Sequence, residues 1–341
     1  MSKNIKKNKI LIIGAGPVGC TAAEILSKKS FNVKIVDSRN HLAGNCYDFK
    51  NEYGILVHKY GPHYFRTNNK NIINYLSKFT KWIPGNYRVN SYVDKQYYEF
   101  PINLNTINKF FKKNFKSNQA KNFLSEISIK NKKKKNFEKF LKSKLGKKLY
   151  ENFYKNYTIK QWGINPKMLS ESVAKRIPIR FNKKKDYIIA NYKLMPKLGF
   201  TEMFKKMISN KNIKLSLKKK YKFSENDFNK YEHIIYTGPI DVFFNYKFGR
   251  LGWRSLKFKF ETYKKKYFQH CLQINYPNEY KFTRKVEYKY VTKQKSEFTT
   301  ISKEYPRSVG EPYYPISTSK DKQILKKYQI LIDKYEKRNL Y

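Results

Sequence analysis

A chain of 341 residues is long enough for two or three structural lobes around a sizeable core, and 40% hydrophobic with 17% aromatic content excludes a disordered polymer in spite of 29% charge. The formal charge of +49 rests on lysine, with only ten arginines among the 74 basic residues, and it comes with abundant Asn, Ile, Tyr and Phe, which share A/T-rich codons. That pattern argues against a nucleic-acid reader, which leans on arginine forks, while leaving a field that draws in anions.

The chain opens with a basic stretch before Lys9–Ile13, a short apolar run broken by glycines and lacking a small-residue cleavage site, so a first β-strand is expected rather than a signal peptide. Gly14-Ala15-Gly16-Pro17-Val18-Gly19 follows as G-x-G-x-x-G, and a helical pattern runs from Cys20 to Lys29. Phe31 to Val36 alternates as a second strand ending at Asp37, which completes a βαβ unit of the Rossmann type. Gly14 serves the tight turn, Gly16 the approach of a pyrophosphate, and Gly19 the helix–strand contact; Pro17 and Val18 open the helix, and Asp37 is placed to accept ribose hydroxyls. The fingerprint alone does not separate FAD from NAD. Arg39, followed by a second glycine turn at Ala43-Gly44-Asn45, is the arrangement of many FAD enzymes.

Apolar positions recur at helical spacing through residues 100–170, with Lys130 to Lys135 as an exposed charged turn. Beyond Val173 the chain reads as strand-like. Lys257–Glu261, Gln269–Asn275, Lys285–Val291 and Phe298–Tyr305 alternate in series, which suggests an antiparallel sheet. Glu232 to Thr237 reads as a parallel strand returning to the first lobe, and Lys320 to Lys337 as a helix. The expected fold class is therefore α/β: a discontinuous Rossmann-like dinucleotide-binding domain (1–90, 201–244 and 317–341), a helical lobe (100–170) and an antiparallel substrate sheet (171–200 and 245–316). Three cysteines at unrelated spacings (Cys20, Cys46, Cys271) point to a reducing, cytoplasmic setting without disulfides or metal. No run of 18 apolar residues is present, so no membrane span is expected.

Ten blocks in order carry a resemblance. They are the turn at Gly14; Arg39 to Tyr47; His58-Lys59-Tyr60-Gly61-Pro62-His63; Tyr157-Thr158 to Gln161-Trp162-Gly163; Arg176-Ile177-Pro178-Ile179-Arg180-Phe181; Tyr236 to Asp241; Trp253-Arg254-Ser255-Leu256; Thr283-Arg284; Lys303-Glu304-Tyr305-Pro306; and Glu311-Pro312-Tyr313-Tyr314-Pro315. Over nearly its whole length the chain resembles the bacterial UDP-galactopyranose mutases. The resemblance implies a flavin-dependent isomerase that interconverts UDP-galactopyranose and UDP-galactofuranose, with reduced FAD as nucleophile on the anomeric carbon, UDP-galactose as partner and a homodimer as a common assembly. This accounts for the lack of a Ser-His-Asp, Cys-His or metal-ligand constellation, because the cofactor supplies the nucleophile.

By the same resemblance, Arg176 and Arg284 hold the diphosphate, with Arg254 as a weaker candidate. Tyr157 stacks on uracil with Phe153 one helical turn earlier, Trp162 lies near the sugar and diphosphate, and Tyr187 rides on a lid. Asn275 and Tyr305 reach toward phosphate and sugar. His63 lies beside flavin and sugar, while His58 contacts the cofactor through its backbone or packs beneath it. Ala43 departs from a family glycine, and Arg66 stands where a His is common. The family's closing strand, with a Gly-Arg pair and a Tyr- and Asp-containing segment, has no counterpart before Tyr341, which raises the expectation of a fragment. Two further expectations stand beside the mutase: an amine-oxidase-like FAD oxidoreductase, and an inactive or polyanion-binding remnant.

Overall fold

The computed structural model describes residues 8–85, 87–129, 136–316 and 318–341. The lysine turn expected at 130–135 lies outside them. Lys9–Ile13 forms the centre of a four-stranded parallel sheet, in the order Ile213–Ser216, Asn32–Val36, Lys9–Ile13, His233–Tyr236. Ile10, Leu11 and Ile12 are fully buried, as an unbroken apolar run in a strand covered on both faces demands. The helix Pro17–Ser27 packs over this sheet and against the helix Phe200–Met207. On the far side of His233–Tyr236, Leu340 pairs in parallel with Ile234.

The second sheet has seven strands, in the order Tyr314–Pro315, Trp253–Tyr263, Thr299–Arg307, Arg284–Glu287, Gln273–Asn275, Val89–Val93, Gln96–Phe100. Its pairings are antiparallel except for Val89–Val93 against Gln273–Asn275, which run parallel. Three short strands, Phe65–Thr67, Tyr192–Pro196 and Trp82–Pro84, form a small antiparallel sheet with Tyr192–Pro196 in the middle. The helical lobe comprises Leu104–Phe111, Ser117–Glu126, Phe137–Tyr150, a π-turn at Glu151–Lys155 and Asn156–Trp162. Its core gathers Ile107, Leu124, Leu141, Leu145, Leu149 and Phe153. The helix Ser319–Glu336 begins with a capping box between Thr318 and Asp321.

Several sequence expectations shift. Val173 lies in a short helix, Glu171–Ala174, and strand structure resumes only at Tyr192. The run expected at Lys285–Val291 ends as a strand at Glu287, and Lys289–Thr292 turns into a helix that buries Val291 and Thr292. The hairpin Val89–Val93/Gln96–Phe100 and the parallel strand Ile213–Ser216 were not anticipated. Among the described residues, no helix is long and apolar enough to cross a membrane.

Candidate functional site

The glycine fingerprint builds a cleft of about 980 Å³ at the carboxyl end of the parallel sheet, lined by Gly14, Gly16, Pro17, Val18, Asp37, Arg39, Gly44 and Asn45 among others. Gly14 has φ of +113°, and a Cβ there would lie 2.0 Å from Thr237 Oγ1. A Cβ on Gly19 would lie 1.9 Å from the Gly14 carbonyl oxygen, so only glycine lets the helix start this close to the strand. The helix Pro17–Ser27 carries no side-chain cap at Gly16, so its first N–H groups stay available to a phosphate.

The Asp37 carboxylate accepts the N–H of Ala15 at 2.7 Å and of Arg39 at 2.8 Å, which leaves lone pairs for ribose hydroxyls. Arg39 is fixed in turn. It donates to Asn45 Oδ1 at 2.9 Å and Glu311 Oε2 at 3.0 Å, with its guanidinium 4.8 Å from the Tyr60 ring centre. Thr237 and Glu311, which fall in the resemblance blocks without an assigned role, share the wall with Lys219 and Lys220, which the sequence had not singled out. Ala43 sits in the left-handed region at φ of +73°. Uncapped N–H groups, the acceptor at Asp37 and two close-packed glycine turns together fit the diphosphate and ribose of a dinucleotide.

His58 and His63 take opposite tautomers. The His63 backbone N–H donates to His58 Nδ1 at 3.1 Å, so His58 carries its proton on Nε2, a buried atom with no partner among the described residues. His63 Nδ1 donates to the Gly61 carbonyl at 2.9 Å, which leaves its Nε2 lone pair free. Burial holds His58 neutral, with its pKa lowered to about 3. Burial lowers His63 as well, with Arg284 adding to the effect and the Gly61 hydrogen bond opposing it.

The second half of the site lies on one face of the seven-stranded sheet. Arg284 Nε donates to Glu304 Oε2 at 2.6 Å and Arg284 Nη2 to the Tyr314 hydroxyl at 3.1 Å, while Glu304 is fully buried. Burial works against the Arg284 charge, but Glu304 and the nearby phenols of Tyr314, Tyr157 and Tyr87 outweigh it and hold the guanidinium well above its usual range. Asn275, 6% exposed, is the register partner of Arg284 and shares its face. Tyr157, Tyr187 and Tyr314 close around the same charge; burial raises each phenol and Arg284 opposes the rise. Trp162 ends its helix with its ring 6.4 Å from that of Tyr314. Arg66 is exposed on its strand, and its charge reaches the Tyr187 phenol.

Three expected site residues are placed otherwise. Tyr305 follows Glu304 along one strand and so points to the opposite sheet face, where it meets Phe282; the residue aimed at Arg284 is Glu304. Phe153 is 2% exposed, packed edge-to-face with Tyr98 and Phe110 inside the helical lobe, with no ring face open to a ligand. Arg254 is 7% exposed and fully engaged: it donates to the Gln161 carbonyl at 3.3 Å, the Lys160 carbonyl at 3.4 Å and the Ser308 hydroxyl. It caps the helix that carries Trp162 rather than offering a free fork. Arg176 is exposed and bonded to none of the described residues.

Residues 152–340 match the family described as UDP-galactopyranose mutase, and residues 12–79 match the NAD(P)-binding Rossmann-like domain. The chain is 38% identical to a probable UDP-galactopyranose mutase of Klebsiella pneumoniae, over 96% of this chain and 87% of that protein. It is 34% identical to the dTDP-fucopyranose mutase of Escherichia coli, over 94% and 88%. The UDP-galactopyranose mutase of Mycoplasma genitalium is also 34% identical, over 95% and 86%. Among solved structures, a reduced UDP-galactopyranose mutase superposes with a TM-score of 0.78 at 16% identity, covering 98% of this chain and 89% of that one. The chain belongs to the UDP-galactopyranose mutase family.

Proposed function

We propose that the protein interconverts UDP-galactopyranose and UDP-galactofuranose, with FAD as its cofactor. The observation that carries this reading is the part-buried Arg284, pinned by Glu304 and Tyr314 inside a ring of tyrosines beside the histidine loop. A fixed, partly desolvated guanidinium suits a diphosphate leaving group, because it stabilises charge as that charge develops without reorganising. Reduced FAD, when bound, supplies the nucleophile for the anomeric carbon.

The chain's own residues do the rest. The N–H groups beyond Gly16 and the Asp37 carboxylate hold the cofactor's diphosphate and ribose. Tyr157 offers a ring face to uracil, Trp162 and Tyr187 enclose the sugar and diphosphate, and Arg176 adds a second cation from the exposed segment. The His63 Nε2 lone pair accepts a hydrogen bond from a ring hydroxyl. The bulky aromatic walls keep water from the departing UDP.

The test is turnover of UDP-galactopyranose by the flavin-loaded chain under dithionite, followed by separation of the two UDP-sugars. Flavin-loaded, reduced protein that binds UDP yet makes no furanose sinks the proposal. A second reading has its own support, since the dTDP-fucopyranose mutase is 34% identical over 94% of the chain. Running dTDP-fucopyranose beside UDP-galactopyranose ranks the two by kcat/KM. Oxygen consumption with an amine would instead favour the amine-oxidase class.

A further inference from the structure

Tyr87 belongs to none of the ten sequence blocks, yet it sits where three parts of the molecule meet. It follows the strand Trp82–Pro84 and precedes Val89–Val93, packing against the apolar cores of both the dinucleotide domain and the helical lobe. Its ring lies 5.1 Å from Tyr64 and 5.5 Å from Tyr187, and its hydroxyl donates to Gln273 Oε1 at 2.6 Å. Gln273 Nε2 then donates to Asn275 Oδ1 at 2.7 Å. Residues two apart on a strand share a face, so this chain of hydrogen bonds ends beside Arg284, the register partner of Asn275.

We infer that Tyr87 is a positioning residue for the reaction proposed above, acting through Gln273 to fix which end of the Asn275 amide faces the diphosphate; the inference rests on that reading. An amide is free to turn over unless its neighbours choose for it. Burial keeps the Tyr87 phenol protonated, with Arg284 opposing, so it has a proton to donate, and the 2.6 Å contact directs it to Gln273 Oε1. That forces the Gln273 Nε2 toward Asn275 and commits Asn275 Oδ1 as acceptor. The Asn275 Nδ2 is left as the donor, the polarity an anionic oxygen requires beside Arg284. The ring contact with Tyr187 ties this setting to the segment expected to act as a lid.

The experiment uses the full flavin-loaded chain and measures UDP binding, KM and kcat for Tyr87→Phe, Asn275→Ala and the double variant. Thermal unfolding is followed alongside. Tyr87→Phe is expected to weaken UDP binding about tenfold, the equivalent of about 1.4 kcal/mol, with kcat moving less than KM. The double variant should bind no more weakly than Asn275→Ala alone, because the two act in series. Gln273→Met supplies a second route should Tyr87→Phe fail to fold, with the same loss and the same lack of added effect. Wild-type-like UDP binding in Tyr87→Phe or Gln273→Met, or losses that multiply with Asn275→Ala, overturn the relay while wild-type turnover stands. Absence of UDP binding by the wild-type chain overturns the functional reading itself, and the relay with it.

Discussion

Arg284 and Glu304 show what a single pair can carry. Glu304 is fully withdrawn from water and Arg284 partly so, and the pair is tied by a 2.6 Å hydrogen bond. Removing one partner strands the other's charge, so Arg284→Ala is expected to cost about 3–5 kcal/mol of stability in urea titrations, besides abolishing UDP binding. His58 supplies a pH signature. Its folded pKa of about 3 lies below the ordinary 6.5, so the unfolded chain binds more protons between those values. Stability is then complete above about pH 6.5 and drains as pH falls, at up to about 1.4 kcal/mol per pH unit. His58→Asn keeps an acceptor for the His63 N–H without a titrating ring, and should flatten that acid limb in unfolding curves taken from pH 7 to 4. At this scale the sequence reveals residue types but not facing. Glu304 and Tyr305 are neighbours, and only strand register decides which one meets Arg284. Phe153 and Tyr157 share a helical spacing that serves a core as well as it serves a site, and packing against Tyr98 and Phe110 decides for Phe153.

The helix Asn156–Trp162 depends on being held at its last turn. Arg254 takes the carbonyls of Lys160 and Gln161, and Lys160 Nζ donates to the Tyr276 carbonyl and, at 2.8 Å, to the Tyr280 carbonyl of the loop after Gln273–Asn275. Arg254→Leu leaves those carbonyls without donors, and about 3 kcal/mol of destabilisation is expected, read by Trp fluorescence during denaturation. The element at Gly19 fails differently. Gly19→Ala would press a methyl into the Gly14 carbonyl, so the protein should purify without a flavin spectrum near 450 nm while keeping its helical circular dichroism. The fingerprint was legible because backbone clearance dictates glycine at those positions. The hairpin Val89–Phe100 was not, because its turn places Asp94 at φ of +48° and Lys95 at +60°, where the usual signal is Asn-Gly. Ile213–Ser216 escaped notice because a four-residue strand with a lysine at its centre leaves little alternation to read.

Over the whole molecule, the +49 charge acts at long range while the site acts at contact. The screening length is about 10 Å at 0.1 M salt, so added salt should mask the field that draws UDP-sugar in far more than the contact grip of Arg284. Raising NaCl from 0.05 to 0.5 M is expected to lower kcat/KM several-fold and leave kcat nearly unchanged, a split that steady-state kinetics resolves. The returning strand His233–Tyr236 and the tail helix Ser319–Glu336 were legible at this scale because both carry clear periodicity. The mixed character of the larger sheet was not, since its one parallel pairing joins segments nearly two hundred residues apart.

That same pairing governs the order in which the chain can acquire its shape. Lys9–Ile13 waits for His233–Tyr236, and Val89–Val93 waits for Gln273–Asn275. Neither sheet can be completed while a ribosome is still delivering the first two hundred residues. Nascent chains of that length therefore expose apolar strand edges, and maturation is expected to be slow, post-translational and dependent on chaperones. Polypeptides cut before His233 should accumulate in inclusion bodies rather than as a folded N-terminal module.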